Sequence, residues 1–202
     1  AVYHLNGYGD STGTVEKISP VLETVYDNQD GSYTAIFGYL NPNQTTVTIE
    51  VGSENKFSYQ GQNGLDKGQV TIFEPGRHQA VFAVLFDGSN LVWSLNGKTS
   101  TASSANAEIP GTLSKVSPVL EKVFDNGNGS YTAWFGYYNP NEKYVFIPLG
   151  SNNKFHYQGQ NGQNLGQPTV FIPGRMVNVF PVDFDGSNLV WTLNGKTSTA
   201  SG

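Results

Sequence analysis

Cysteine is absent from the 202 residues, which excludes a disulfide framework, thiolate catalysis and cysteine-ligated zinc. Charge is scarce as well: 13% of residues are Asp, Glu, Lys or Arg, about half the share of an ordinary globular domain. The surface must therefore be dressed with Asn, Gln, Ser, Thr and Gly. Eleven basic residues form no run and the net charge is −5, so nucleic acid and acidic membrane surfaces are poor partners. No apolar run approaches the roughly 18 residues that cross a bilayer. No charged segment followed by an apolar stretch opens the chain, and its start at Ala1 reads as a mature product or an excised fragment. Helical periodicity is missing too, and essentially no helix is expected.

Turn formers and aromatics are plentiful. Twenty-four glycines, ten prolines and 13% aromatic residues suit a turn-rich all-β protein. The chain also repeats itself: residues 18–104 align with 116–202 at a constant offset of 98, without a gap and with about two-thirds of positions identical. From Phe86 to Ser103 only Ser94 differs, becoming Thr192. Solenoid repeats of roughly 20–50 residues need neighbours to bury their cores, whereas a unit of about 90 buries its own. The expectation is two copies of one small domain, over residues 1–104 and 105–202, joined by a short polar linker at about 104–111.

Each copy alternates short strand-like runs with turn signals, as sandwiches and barrels do. Val21–Tyr26 reads as a strand and Asp27–Gly31 as its turn. Tyr33, Ala35, Phe37 and Tyr39 alternate with Thr34, Ile36, Gly38 and Leu40 until Asn41-Pro42-Asn43 stops the run. Val47, Ile49 and Val51 form another alternating set, residues 61–68 a loop, and Val70–Phe73 a strand before Pro75-Gly76. Val81–Phe86 and Leu91–Leu95 flank a hairpin turn at Asp87–Asn90. About seven strands per copy match an immunoglobulin or fibronectin type III-like sandwich. Trp93 and Trp191 fall on the core-facing register. Trp134 replaces Ile36 and could stand as an exposed platform. The opening residues 1–13, with Tyr3 and Tyr8, have no counterpart.

Candidate chemistry is thin. His78 corresponds to Met176 and His156 to Ser58, while His4 lies outside both copies, so a site built on histidine exists once at most. Glu23, Asp27 and Asp87 recur as Glu121, Asp125 and Asp185, but acids in and beside turns cap their own backbone rather than form a catalytic pair. The turn Asp27–Ser32 is rich in oxygen ligands and has two readings, a plain turn or one holding structural calcium through Asp27, Asp30 and, in the second copy, Asp125. Its spacing is not that of a helix–loop–helix calcium loop, and Asp30 becomes Asn128. The only arginines, Arg77 and Arg175, follow Pro-Gly at equivalent places; a structural ion pair to Asp87 or Glu23 competes with a ligand clamp. Finally, Tyr59, Gln60, Gln62 and Asn63 recur as Tyr157, Gln158, Gln160 and Asn161. A tyrosine flanked by amides can hold a sugar ring, or it can be part of a solvated glycine loop.

The motifs Phe-Gly-Tyr-x-Asn-Pro-Asn (37–43 and 135–141), Gly-Ser-x-Asn-Lys-Phe, Pro-Gly-Arg and Phe-Asp-Gly-Ser-Asn-Leu-Val-Trp-x-Leu-Asn-Gly together resemble the fibronectin type III-like tandem modules called X1. These modules accompany catalytic domains in multimodular clostridial cellobiohydrolases, and the likeness covers both repeats. The resemblance implies a noncatalytic accessory module of an extracellular, secreted cellulase, lying between a glycoside hydrolase domain and a cellulose-binding module. The roles it implies are spacing, stabilising neighbouring domains of the same polypeptide and loosening the cellulose surface. It transfers no catalytic residue and no cofactor. Two other readings stand beside it: a carbohydrate-binding module using Tyr59 and Tyr157, and stalk repeats of a bacterial surface protein.

Overall fold

The computed structural model describes residues 15–202, so His4, Tyr3, Tyr8 and the segment 1–13 lie outside the described residues. The chain is all-β and divides into two compact units, with Pro110 closing the first and Gly111 opening the second. The first contains β1 (Ser19–Asp27), β2 (Tyr33–Asn41), β3 (Val47–Thr48), β4 (Asn55–Tyr59), β5 (Gln62–Leu65), β6 (Ile72–Phe73), β7 (Gly76–Phe86), β8 (Leu91–Leu95), β9 (Lys98–Ala102) and β10 (Ala107–Glu108). The second contains β11 (Ser117–Asp125), β12 (Tyr131–Asn139), β13 (Val145–Phe146), β14 (Asn153–Tyr157), β15 (Gln160–Gln163), β16 (Val170–Phe171), β17 (Gly174–Phe184), β18 (Leu189–Leu193) and β19 (Lys196–Ala200).

In the first module one sheet runs β10-β1-β2-β7 and the other β5-β4-β8-β9, with β3-β6 as a separate two-stranded pair. The second module repeats this as β11-β12-β17, β15-β14-β18-β19 and β13-β16. Period-2 alternation explains the layering. Ala35, Phe37 and Tyr39 of β2 turn inward with Phe82, Val84 and Phe86 of β7, and meet Phe57, Leu91, Trp93 and Leu95 from the facing sheet. Trp93 is fully buried, edge-on to Phe37 and Phe82, with ring centroids 5.7 and 4.9 Å away. Trp191 has the same place among Phe135, Phe155 and Phe180. Edge-to-face aromatic contacts add to the burial of large apolar rings, which is what holds such a sandwich shut.

Three expectations are corrected. The loop expected over 61–68 carries a strand, β5: Gln60 and Gly61 sit at φ 50° and 75°, the positive values a two-residue hairpin needs, so the chain turns back and pairs with β4. The strand expected over Val70–Phe73 shortens to Ile72–Phe73. The boundary expected after 104 falls after Pro110, because the linker folds onto the first module. Ser104–Asn106 makes one 3₁₀ turn, and Ala107–Glu108 then pairs in parallel with β1.

Polar side chains common to both modules fasten the layers. Asn55 is fully buried; its amide donates to the Ile49 and Val70 carbonyls, both at 2.9 Å, and accepts the Trp93 indole N–H at 3.0 Å. Asn41, 1% exposed, donates to the Thr45 and Phe73 carbonyls and accepts from the Asn43 N–H. Asn153 and Asn139 repeat these bonds. A buried amide with its hydrogen bonds made is tolerated; one without them costs heavily.

The arginine forms a clasp across three strands. Arg77 Nη2 donates to both Glu23 carboxylate oxygens at 2.6 and 2.7 Å, and Nη1 to the Tyr39 and His78 carbonyls. Glu23 sits at the irregularity of β1 between Leu22 and Thr24, and its Oε1 also accepts the Ala80 N–H within the bulge of β7. The partner is thus Glu23 and not Asp87. Gly38 lies under the clasp, where a Cβ would strike the Glu23 carboxylate, the His78 carbonyl and the guanidinium. Arg175, Glu121 and Gly136 build the same clasp in the second module.

Candidate functional site

The β4–β5 hairpin gathers the candidate sugar contacts. Tyr59 ends β4, Gln60 and Gly61 form the turn, and Gln62 and Asn63 begin β5. Ser58, Tyr59, Gln60, Gln62 and Asn63 line a shallow, open depression with Asn90 and Val92. The hairpin folds this way because the exposed edge strand is Gly- and amide-rich and the turn tolerates positive φ.

Most of these groups already have partners. Tyr59 is half-buried and packs on the core; its phenol oxygen accepts the Asp87 N–H at 3.0 Å. The Lys67 ammonium lies 4.8 Å from the centre of its ring, over the face a sugar would stack on. Gln60 donates to Asp87 Oδ2 at 2.6 Å, and Asn63 Oδ1 accepts from the Ser58 hydroxyl and the Gly64 N–H. Gln62 is exposed at the edge of the sheet. In the second module Tyr157 and Gln158 repeat the bonds to Asp185 at 2.9 Å each, and Gln160 accepts from Gln163. Asn161 is exposed and pairs in register with His156.

Asp87 is the node of this corner, capping its own turn and also holding the neighbouring hairpin. Its Oδ1 accepts the Ser89 hydroxyl at 2.6 Å and the Ser89 N–H at 3.0 Å, closing the β7–β8 turn, while Oδ2 ties down Gln60 of the neighbouring hairpin. Those donors, the Ser89 hydroxyl foremost, hold the Asp87 carboxyl well below the usual carboxylate range. Asp185 is lowered in the same way, by the Ser187 hydroxyl first and the Gln158 amide next. Because the folded value lies below the unfolded one of about 3.9, the unfolded chain binds more protons as acid is added. The stability these two groups add is therefore present above about pH 4 and is lost as pH falls below it. The Tm of the Asp87→Asn, Asp185→Asn double variant should fall less steeply than the parent's between about pH 5 and pH 2. Parallel slopes in a calorimetric pH series would contradict this.

The candidate calcium ligands cap their own turns. Asp27 Oδ1 accepts the Gln29 N–H at 2.8 Å, and Asp125 Oδ1 the Gly127 N–H at 2.8 Å. Asp30 Oδ1 accepts the N–H and hydroxyl of Ser32, which lower its carboxyl pKa, and the neutral Asn128 accepts the same two bonds from Ser130. An amide doing the work of a carboxylate shows that the turn needs an acceptor rather than a charge. Among the described residues no three His, Asp or Glu side chains gather as a ligand set. Adding a chelator to the purified chain should leave the melting midpoint in place if the turns stand without metal; a drop of several degrees would favour the calcium reading.

The remaining candidates disperse. The His78 ring stacks on Tyr39 with centroids 4.7 Å apart, and His156 is exposed on β14. Trp134 is half-buried on the outer face of β12, beside Lys122 and Pro181 in register, and makes no open platform. No protein-family model, curated protein or solved structure matches the chain.

Proposed function

We propose that the chain is a noncatalytic pair of accessory modules belonging to an extracellular cellulose-degrading enzyme, holding neighbouring domains of the same polypeptide at a set spacing. One observation carries the reading: the distinctive polar side chains that the copies share are bonded inside their own module. Asn41, Asn55, Glu23, Arg77 and Asp87, with their counterparts, fasten strands and turns. Such duplication preserves a scaffold, with these shared groups engaged in strand and turn contacts of their own module. The likeness of the repeated motifs to X1 modules supplies the cellulase setting and the secreted location.

A second reading, carbohydrate binding, draws on the shallow depression at the β4–β5 hairpin. A cellulose sedimentation assay separates the two. The intact chain should remain mostly in the supernatant, and Tyr59→Ala with Tyr157→Ala should change nothing. Strong retention lost in that variant would favour binding through the hairpins, and sugar release from cellulose or soluble oligosaccharide by the pure chain would overturn the noncatalytic reading.

A further inference from the structure

In the first module the outer edge of β1 is occupied. Ala107 and Glu108 run parallel to it, opposite Val25 and Tyr26, which are 1% and 5% exposed. Ala107 packs against the core, and the Thr24 hydroxyl donates to Glu108 Oε1 at 3.3 Å. The segment arrives through the turn at Ser104–Asn106, which begins where the Ser104 N–H donates to the Gly88 carbonyl at 2.9 Å.

The second module presents the same edge open. Among the described residues no strand pairs with β11 on its outer side. Phe124, the counterpart of Tyr26, is 47% exposed, and Val123 is half-buried where Val25 is buried. Gly202 stands where Ser104 stands, and its N–H donates to the Gly186 carbonyl at 3.0 Å, so the path to the edge begins with the same bond. One difference is chemical: Thr24 is replaced by the exposed Lys122, its ammonium 4.8 Å from the centre of the Phe124 ring.

We propose that the outer edge of β11 is a strand-addition site for an extended peptide segment carrying a small residue followed by a carboxylate, taken up in the direction and register in which β1 takes up Ala107–Glu108. An open sheet edge offers a row of unpaired N–H and C=O groups, and an added strand satisfies them. The first module supplies the template for direction and register. A small residue opposite Val123 fills the margin of the core, as Ala107 does beside Val25. The next side chain emerges on the outer face, where a carboxylate meets Lys122 and forms an ion pair in place of the hydroxyl contact of Thr24. The inference rests on the fold and the duplication, not on the cellulase reading.

The test appends Ala-Asn-Ala-Glu-Ile-Pro behind Gly202, copying residues 105–110, and follows backbone hydrogen exchange together with solution mass. The amides of Val123–Asp125 should exchange about tenfold more slowly or better in the extended chain, which should stay monomeric. Replacing the appended glutamate by lysine should remove most of that slowing, and adding Lys122→Glu to that chain should bring it back. Unchanged exchange, or slowing indifferent to all three charge arrangements, would overturn the proposal. Slowing that comes with a doubled mass would overturn it too, by assigning the edge to a second copy.

Discussion

Replacing Gly38 with alanine is expected to destabilise the first module by about 3 kcal/mol or more and to lower its Tm by at least about 10 °C. The added methyl has nowhere to go. It would meet the Glu23 carboxylate and the guanidinium of Arg77, and also the backbone carbonyl of His78, which cannot withdraw without opening the pairing of β2 with β7. Overpacking alone costs about 1–3 kcal/mol, and here it also parts an ion pair whose glutamate side chain is 8% exposed. Arg77→Ala should cost less, about 1–2 kcal/mol, because the 33%-exposed arginine side leaves room for water to solvate the carboxylate. Arg77→Lys should not rescue, since a single ammonium cannot serve two carboxylate oxygens and two carbonyls in that plane. Calorimetry on Gly38→Ala and Gly136→Ala reads both modules. A shift of only a degree or two would mean that the clasp is slack.

Asn55→Leu should cost about 4 kcal/mol in the same module, although leucine is close in size and more apolar. The substitution strips the Ile49 and Val70 carbonyls and the Trp93 N–H of their partner at a fully buried position. Each orphaned buried group costs about 1–3 kcal/mol, which the added hydrophobicity does not offset. Urea unfolding of the full chain measures the loss, and a near-neutral result would show that the amide network is dispensable.

Much of this architecture was legible in the sequence. The duplication, the alternation in Tyr33–Tyr39, the inward tryptophans and the turn chemistry of Asp27–Gly31 and Asp87–Asn90 follow from local patterns of period and turn residue. The pairing of Arg77 with an acid could be narrowed to two candidates because the sequence holds two arginines and few shared acids. What escaped depends on contacts between distant segments. Asn41 reads as part of a strand stop and Asn55 as one residue of a repeated motif, yet both are buried because their partners, Phe73 and Val70, arrive from elsewhere in the chain. Gly38 sits in a regular strand pattern, and only the arginine passing over it makes glycine necessary. The hairpin at Gln60-Gly61 was hidden by amides that carry no apolar alternation, and β10 by lying in what composition marks as a linker. At the candidate sugar site, residues adjacent in sequence stay together in the β4–β5 hairpin, but the partner of Gln60, Asp87, lies 27 residues away and has no local signature.

The claim on which the account depends is that each copy folds on bonds of its own. Residue-resolved hydrogen exchange on the full chain carrying Asn55→Leu tests it most directly. The account predicts that protection falls through β2, β4, β7 and β8, while Phe135, Phe155 and Trp191 keep theirs. Protection collapsing together in both halves would contradict it.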